Sequence, residues 1–150
     1  MKRRVVTRSA RETKKCGHMI GRKALEKKER VFFALKGDLG SGKTTFLKGL
    51  AGGLGVKDRI TSPTFLILKK YDADNGRYFY HIDAFRVGET DLSDLNFEEI
   101  LKKRKNIIAV EWSENIENLI PSDAMVIEFC FVSPEERKLI IRDRSGIIPE

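Results

Sequence analysis

A glycine-rich stretch constrains the fold of this chain more than any other feature of its sequence. It fits the phosphate-binding pattern G-x-x-x-x-G-K-[ST] over consecutive residues, namely Gly37, Asp38, Leu39, Gly40, Ser41, Gly42, Lys43 and Thr44. The apolar run 31–35 precedes it, and apolar residues at helical spacing follow it from 46 to 54. A strand, a tight loop and a helix are therefore predicted in that order. The alternative is a glycine-rich turn that matches by chance, and the flanking strand and helix count against it.

The residue types of this stretch suit a phosphate group. Glycine lets backbone amides approach phosphate oxygens closely, and the helix that begins near Gly42 directs its positive end at the same anion. Lys43 would neutralise the β- and γ-phosphates, and the Thr44 hydroxyl would bind Mg²⁺. The sequence therefore predicts a nucleotide-binding loop.

Length and composition narrow the class of protein. A chain of 150 residues is the usual size of one domain, so we expect a single domain over 1–150. No apolar run approaches the length that crosses a bilayer, which favours a cytoplasmic protein with no membrane partner. Cys16 and Cys130 are far apart and lack metal-ligand spacing, so we expect two reduced thiols, with Cys130 in the core.

The formal net charge of +7 allows two interpretations. Basic clusters at 2–4, 27–30 and 102–105 could attract a polyanion such as RNA. They lack interleaved aromatic residues and lie beside acidic ones, so a solvated surface rich in lysine and glutamate explains them equally well. Charge alone therefore leaves direct contact with tRNA open.

The apolar patterns predict a mixed α/β protein. A short strand at 5–7 precedes a helix that begins after Ser9, where S-x-x-E forms a capping box. One buried stripe of this helix is predicted to hold Cys16, Met19, Ile20, Ala24 and Leu25. Further predicted strands are 31–36, 65–71, 77–83, 106–110, 124–132 and 137–142, with helices after the loop, within 92–103 and at 114–119.

Two predicted strands end in a carboxylate. Asp83 follows the returning strand of a hairpin, and Glu111 ends the apolar strand 106–110, immediately before Trp112. In phosphate-loop enzymes, a carboxylate at a strand end holds the metal or positions water. Asp83 could instead cap a helix, His81 has the usual structural interpretation of a lone histidine, and Trp112 is more typical of packing.

The segment Thr61-Ser62-Pro63-Thr64 places three hydroxyl groups around a proline just before a strand. A turn that enters the strand explains it. A switch loop that senses a γ-phosphate explains it equally well. Both interpretations stay open at this stage.

Four motifs in order resemble the TsaE (YjeE) family. They are GDLGSGKTT at 37–45, SPTF at 62–65, HIDAFR at 81–86 and EW at 111–112. The resemblance implies a P-loop NTPase-like three-layer α/β fold, with a mixed, mainly parallel central sheet and an antiparallel hairpin. It also implies an ATPase that binds Mg-ATP, hydrolyses it slowly, and works with a TsaB/TsaD pair in threonylcarbamoyladenosine modification of tRNA, where ATP turnover resets the assembly.

The resemblance also implies roles for residues. The loop 37–45, including Lys43 and Thr45, would bind the phosphates, Thr44 and Glu111 the magnesium, and Asp83 would position water. Thr13 and Arg137 would border the adenine. Weaker candidates for nucleotide sensing or partner contact are Thr64, Arg86 and Trp112.

Two positions depart from the family pattern. Phe85 replaces the usual tyrosine of H-x-D-x-Y-R, which puts any hydrogen bond from that hydroxyl in doubt. Ser41 stands where alanine is common, and the loop should accept it because only backbone amides are needed there.

Rival functions share the phosphate loop. A GTPase would carry the guanine-reading string N-K-x-D, which is absent, so ATP is favoured. A small-molecule kinase would need an acceptor pocket and an arginine-bearing lid, for which Arg86, Arg104 and Arg137 are scattered candidates. A nucleotide-responsive binding module with incidental turnover is the rival from a different class.

Overall fold

The apolar strand before the glycine-rich loop lies at the centre of a β-sheet. In the computed structural model, which describes residues 2–38, 40–61, 68–86, 88–93 and 95–148, this strand is β2, Val31–Gly37. Parallel strands flank β2 on both sides. Its residues 31–35 are all buried, because each of its two faces is covered by helices. The continuous apolar run is the sequence signature of such a strand.

The described strands form one mixed sheet of seven. Their bounds are β1 Lys2–Thr7, β2 Val31–Gly37, β3 Leu68–Asp72, β4 Tyr78–Asp83, β5 Asn106–Glu111, β6 Met125–Phe131 and β7 Arg137–Asp143. Their order in space is β1-β7-β6-β2-β5-β4-β3. The pairs β2–β5, β2–β6 and β4–β5 are parallel, whereas β1–β7, β6–β7 and the hairpin β3–β4 are antiparallel. The predicted mixed sheet with an antiparallel hairpin is confirmed.

Helices cover both faces of the sheet. They are α1 Ala10–Ala24, α2 Lys43–Gly53, α3 Glu89–Ser93 and α4 Phe97–Lys102, with short 3-10 helices at Asp74–Gly76 and Ser113–Leu119. Phe33 and Leu35 of β2 pack with α1 and α2, and Phe32 and Ala34 pack with α3 and α4. The result is a three-layer α/β/α arrangement. No helix of the described residues is long and apolar enough to cross a membrane.

The predicted capping box begins α1. The Ser9 hydroxyl accepts a hydrogen bond from the Glu12 amide at 3.1 Å, and the Glu12 carboxylate accepts one from the Arg8 amide at 2.8 Å. The return bond thus comes from the residue before the cap rather than from the cap itself. The first contact satisfies an amide that the first turn leaves without a helical partner, and the second satisfies the amide of the residue before the cap.

Two sequence expectations about burial are wrong. Met19 is 53% exposed, because Gly17 and Gly21 occupy the buried face of α1 instead. Cys130 is only half-buried, since the side chains of β6 alternate and those of Met125, Ile127 and Phe129 face the core. Both cysteines are free thiols, as expected.

Glycines hold α1 and α2 at backbone contact. A Cβ at Gly17 would lie 2.3 Å from the Phe46 carbonyl oxygen, and one at Gly49 would lie 1.9 Å from the Lys14 carbonyl oxygen. The same holds for Gly21 and Gly53, at 2.4 and 2.1 Å from carbonyl oxygens of the other helix. The interface therefore excludes side chains at four positions, two on each helix.

Replacing Gly49 by alanine should destabilise the protein by ~3 kcal/mol or more, because overpacking against a rigid backbone forces the helices apart. Gly52→Ala is the matched control, since it lies on the same helix and its Cβ would meet only the His18 side chain at 3.5 Å. This control should keep or slightly raise stability, because alanine is the better helix former by up to ~1 kcal/mol. Urea unfolding of both variants checks this, and equal losses would contradict the packing.

Candidate functional site

The loop between β2 and α2 takes backbone conformations that favour glycine. The φ angles of Gly37, Gly40 and Gly42 are 143°, 75° and 104°. Gly42 is the residue that caps α2, so the helix begins at Lys43. Its first amides have no acceptor within the helix and are available to an anion.

A cavity of about 260 Å³ opens beside this loop. It is lined by Gly40, Ser41, Gly42, Lys43, Thr44, Thr45, Asp83, Glu111, Trp112 and Arg137. The structure thus brings together most of the residues that the sequence analysis singled out. Gly37 and Asp38 lie on the other side of the loop, where the Asp38 carbonyl accepts a hydrogen bond from the Ser41 amide at 3.2 Å. Leu39 lies outside the described residues.

A buried carboxylate links β4, β5 and α2. Glu111 is 4% exposed, and one of its oxygens lies 2.8 Å from Nε2 of the buried His81. The other oxygen accepts a hydrogen bond from the Thr44 hydroxyl at 3.3 Å. His81 therefore orients the carboxylate towards Thr44, a role that its interpretation as a lone structural histidine did not include.

Asp83 lies next to Glu111 because β4 and β5 run parallel and end together. The two residues are partners in the strand register, and both line the cavity. One Asp83 oxygen accepts a hydrogen bond from the Phe85 amide at 3.0 Å. Asp83 is only partly buried and lines the cavity.

Lys43 lines the cavity but is buried, and protein groups hold its ammonium in place. Its ammonium donates a hydrogen bond to the Gly37 carbonyl and lies 3.4 Å from the centroid of the Trp112 ring. Burial lowers the pKa of the Lys43 ammonium, and the negative charges of Glu114, Glu111 and Asp83, with Asp38 behind them, oppose this lowering. The aromatic face and the carbonyl hold the cation in place.

Trp112 stacks on Lys43 because its backbone takes an unusual conformation. Its φ of 59° is left-handed, which is uncommon for a bulky residue and is often found at functional sites. The exposed Phe85 packs on the outer side of the Trp112 ring at 5.0 Å between centroids. Trp112 therefore connects the buried lysine to the surface.

Thr13 and Arg137 lie on the α1 side of the loop. A Cβ at Gly42 would be 3.5 Å from Cγ of Arg137 and 3.7 Å from Cγ2 of Thr13. The hydroxyl groups of Thr13 and Thr7 lie 2.5 Å apart, and both residues are buried. Nη1 of Arg137 donates to the Ser133 carbonyl at 2.6 Å. Both predicted residues therefore flank the loop.

Some features of the site could not be predicted from the sequence, and one predicted segment lies outside the described residues. The Ser41 hydroxyl and Nε of Arg137 are buried without a hydrogen-bond partner. The pattern called for only backbone amides at Ser41, and the apolar stacking of Phe85 on Trp112 depends on the fold. Thr64 and its neighbours 62–67 lie outside the described residues.

Comparison with known proteins identifies the family. The sequence model described as "Threonylcarbamoyl adenosine biosynthesis protein TsaE" matches residues 7–139. The chain belongs to the TsaE family. A protein of Treponema pallidum (strain Nichols), named tRNA threonylcarbamoyladenosine biosynthesis protein TsaE, is 35% identical over 140 residues, which are 92% of this chain and 98% of that protein.

Two further relatives agree with this assignment. The TsaE of Borreliella burgdorferi is 46% identical over 94 residues, which are 62% of this chain and 67% of that protein. Among solved structures, that of YdiB from Bacillus subtilis superposes with a TM-score of 0.73 at 30% identity, covering 95% of this chain and 86% of that one. The P-loop type of α/β fold expected from the sequence is thus shared with a solved structure.

The contact between His81 and Glu111 can be tested by a double-mutant cycle. The effects of His81→Ala and Glu111→Ala on stability should be non-additive by ~1–2 kcal/mol, because each residue satisfies a buried polar group of the other. Thermal or urea unfolding of the two single variants and the double variant measures the coupling. Additive effects would show that the two side chains do not interact in solution.

Proposed function

We propose that this TsaE-family protein is a magnesium-dependent ATPase that acts with TsaB/TsaD-type partners in tRNA modification. Membership of the family makes it a protein of threonylcarbamoyladenosine biosynthesis. The observation that supports the ATPase activity is the convergence of Lys43, Thr44, Asp83 and Glu111 on one cavity beside the phosphate loop. Loops of this type bind the phosphates of nucleotides.

The phosphate groups would lie against the backbone of the loop. The left-handed glycines 40 and 42 leave room for them, since a Cβ at Gly40 would meet nothing within 4 Å. In the structure, Lys43 is held by the Gly37 carbonyl and by Trp112. A bound phosphate competes for this cation, so binding would move Lys43 from the Trp112 ring towards the anion.

The donor set around Thr44 fits magnesium. The hydroxyl of Thr44 and the carboxylate of Glu111 are oxygen donors 3.3 Å apart, and Mg²⁺ is commonly bound by one or two such groups together with phosphate oxygens and water. Among the described residues, no group of three or more His, Cys, Asp and Glu side chains forms an all-protein metal cage. A magnesium ion bound here would neutralise the charge that develops on the phosphates.

Asp83 is suited to position the attacking water. It lies beside Glu111 in the register of β4 and β5, and the Thr44 hydroxyl contacts Glu111, so we assign Asp83 to the reacting phosphate rather than to the metal. Phosphoryl transfer needs positioning and charge neutralisation more than covalent help, and this set of residues would supply both. Glu111 is therefore assigned to the metal, and Asp83 to the water.

A partner protein would respond to the bound nucleotide through a chain of side-chain contacts that reaches the surface. Phe85, exposed at 47%, packs on Trp112, which in turn contacts Lys43. Movement of Lys43 on nucleotide binding would be transmitted along this path to the surface.

The expected cytoplasmic location and the single-domain organisation stay predictions.

A small-molecule kinase is the alternative activity. The described cavity of about 260 Å³ is lined by the loop, the carboxylates, Trp112 and Arg137. Arg86 is exposed on the Phe85 side, whereas Arg137 is bound to backbone carbonyls. The arginines that were candidates for a lid do not lie together in the structure. This favours hydrolysis of ATP over phosphate transfer to a small molecule.

Lys43→Ala should abolish ATP binding or weaken it at least about a hundredfold, because the charge-assisted contacts of one cation to phosphate are worth ~2–3 kcal/mol or more in a buried site. Lys48→Ala is the matched control, since Lys48 lies on the same helix but is exposed. Isothermal titration calorimetry with ATP in the presence of Mg²⁺ measures the affinity of both variants. Unchanged affinity of the Lys43 variant would refute the site.

A further inference from the structure

The excess of positive over negative charge in this chain comes from its first two elements. Residues 1–24 contain nine lysines and arginines and a single acidic residue, Glu12. Residues 25–150 contain twenty basic and twenty-one acidic residues, so the net charge of +7 comes entirely from the first 24 positions. In the structure these positions form β1, at the edge of the sheet, and the adjoining α1. The charge is therefore concentrated on one part of the surface.

The outward face of α1 carries a row of cations. Arg11, Lys15 and Arg22 are all exposed. At 3.6 residues per turn, they lie within about 60° of one another around the helix axis, opposite the buried face that packs on α2. The row extends over about 16 Å, from the rise of 1.5 Å per residue. We refer to these three residues as the basic face of α1.

Further basic residues flank this face on both sides. Lys14 and Lys48 are exposed on the side of α2. Lys15, Lys23 and Arg3, together with Glu12 and mostly apolar side chains, line a groove of about 410 Å³ between α1 and β1. The basic face therefore belongs to a broader positive surface that reaches the edge strand.

The basic face takes part in none of the described ion pairs. The described ion pairs are Arg30–Asp123, Lys36–Glu128, His81–Glu111 and Lys102–Glu99, and none includes Arg11, Lys15 or Arg22. The one carboxylate of α1, that of Glu12, accepts a hydrogen bond from the Arg8 amide at 2.8 Å. By contrast, the cluster at 102–105 follows Glu98 and Glu99, and Lys102 lies 3.6 Å from Glu99.

We propose that the basic face of α1 binds the phosphate backbone of a folded RNA. A row of uncompensated cations suits successive phosphates, and the guanidinium groups of Arg11 and Arg22 can each hold a phosphate with two hydrogen bonds. A stable protein interface would instead present a centre of apolar and aromatic side chains depleted of charge. The exposed face of α1 has no aromatic residue, and Met19 is its one large apolar side chain. The choice of tRNA as the ligand rests on the proposed function.

The test compares two triple variants that remove the same charge. The first is Arg11→Gln, Lys15→Gln, Arg22→Gln, and the matched control is Lys102→Gln, Lys103→Gln, Arg104→Gln in the compensated cluster. Unmodified tRNA transcript is titrated by fluorescence anisotropy between 50 and 200 mM NaCl, without nucleotide. Thermal unfolding and ATP binding are measured on the same proteins, and none of the six residues lines the nucleotide cavity.

The expected result has three parts. The wild type binds tRNA, and the α1 variant loses affinity at least about tenfold at low salt. The reason is that binding with fewer phosphate contacts releases fewer counterions from the RNA. Its slope of log K against log[salt] becomes shallower by about 2–3, or ~1 for each contact. The control changes affinity less than about threefold, and ATP binding stays unchanged in both variants.

Other results would overturn the proposal. Equal losses in both variants would show a general effect of net charge, and no binding of tRNA by the wild type at 50 mM NaCl would exclude the contact. If the α1 variant kept its affinity for tRNA but lost stimulation of ATP turnover by the TsaB/TsaD pair, the surface would bind an acidic protein partner instead. The Lys43→Ala protein is the control that separates this proposal from the nucleotide site, because it should lose ATP binding but keep its affinity for tRNA.

Discussion

The backbone contact between α1 and α2 is the constraint on which the rest of this structure depends. α2 begins at Lys43, so its position fixes the phosphate loop, and four glycines on the two helices allow it to lie directly on α1. The same contact places Thr13 of α1 beside Gly42 and turns the basic face outward. The proposed nucleotide site and the proposed RNA surface thus lie on adjoining helices whose spacing tolerates no added side chain, and a shift of one helix would displace the other.

The chemistry of the site depends on ionisable groups that are buried together. Lys43, His81 and Glu111 are each at most 5% exposed, and Asp83 lies beside them at the end of a parallel strand pair. Electrostatic interactions are stronger in such surroundings than in water, and their cost is offset because each group has a partner. Lys43 is balanced by a carbonyl and an aromatic ring, whereas Glu111 is balanced by His81 and Thr44. The protein therefore holds a pre-formed set of groups that, in the proposed function, would bind a phosphate and a metal ion.

Sequence reasoning found the parts of this protein that leave a local pattern. The glycine loop, the central strand β2 and the carboxylates at the ends of β4 and β5 were predicted, because apolar runs and turn residues mark strands covered on both faces. The glycine contacts between helices were missed, since a glycine leaves no hydropathy signal when it packs against another backbone. The stacking of Lys43 on Trp112 depends on a left-handed residue that sequence does not reveal. Cys130 was placed in the core because it stands in an apolar run, but its face of β6 is incompletely covered.

We propose that this TsaE-family protein couples ATP hydrolysis to a protein assembly. The most direct measurement is the rate of phosphate release from Mg-ATP by the purified chain, alone and with the TsaB/TsaD pair. We expect slow hydrolysis alone, clear stimulation by the pair, and loss of the stimulated rate in Asp83→Asn with ATP affinity retained. Hydrolysis that the pair does not change, or transfer of the γ-phosphate to a metabolite rather than to water, would contradict this proposal.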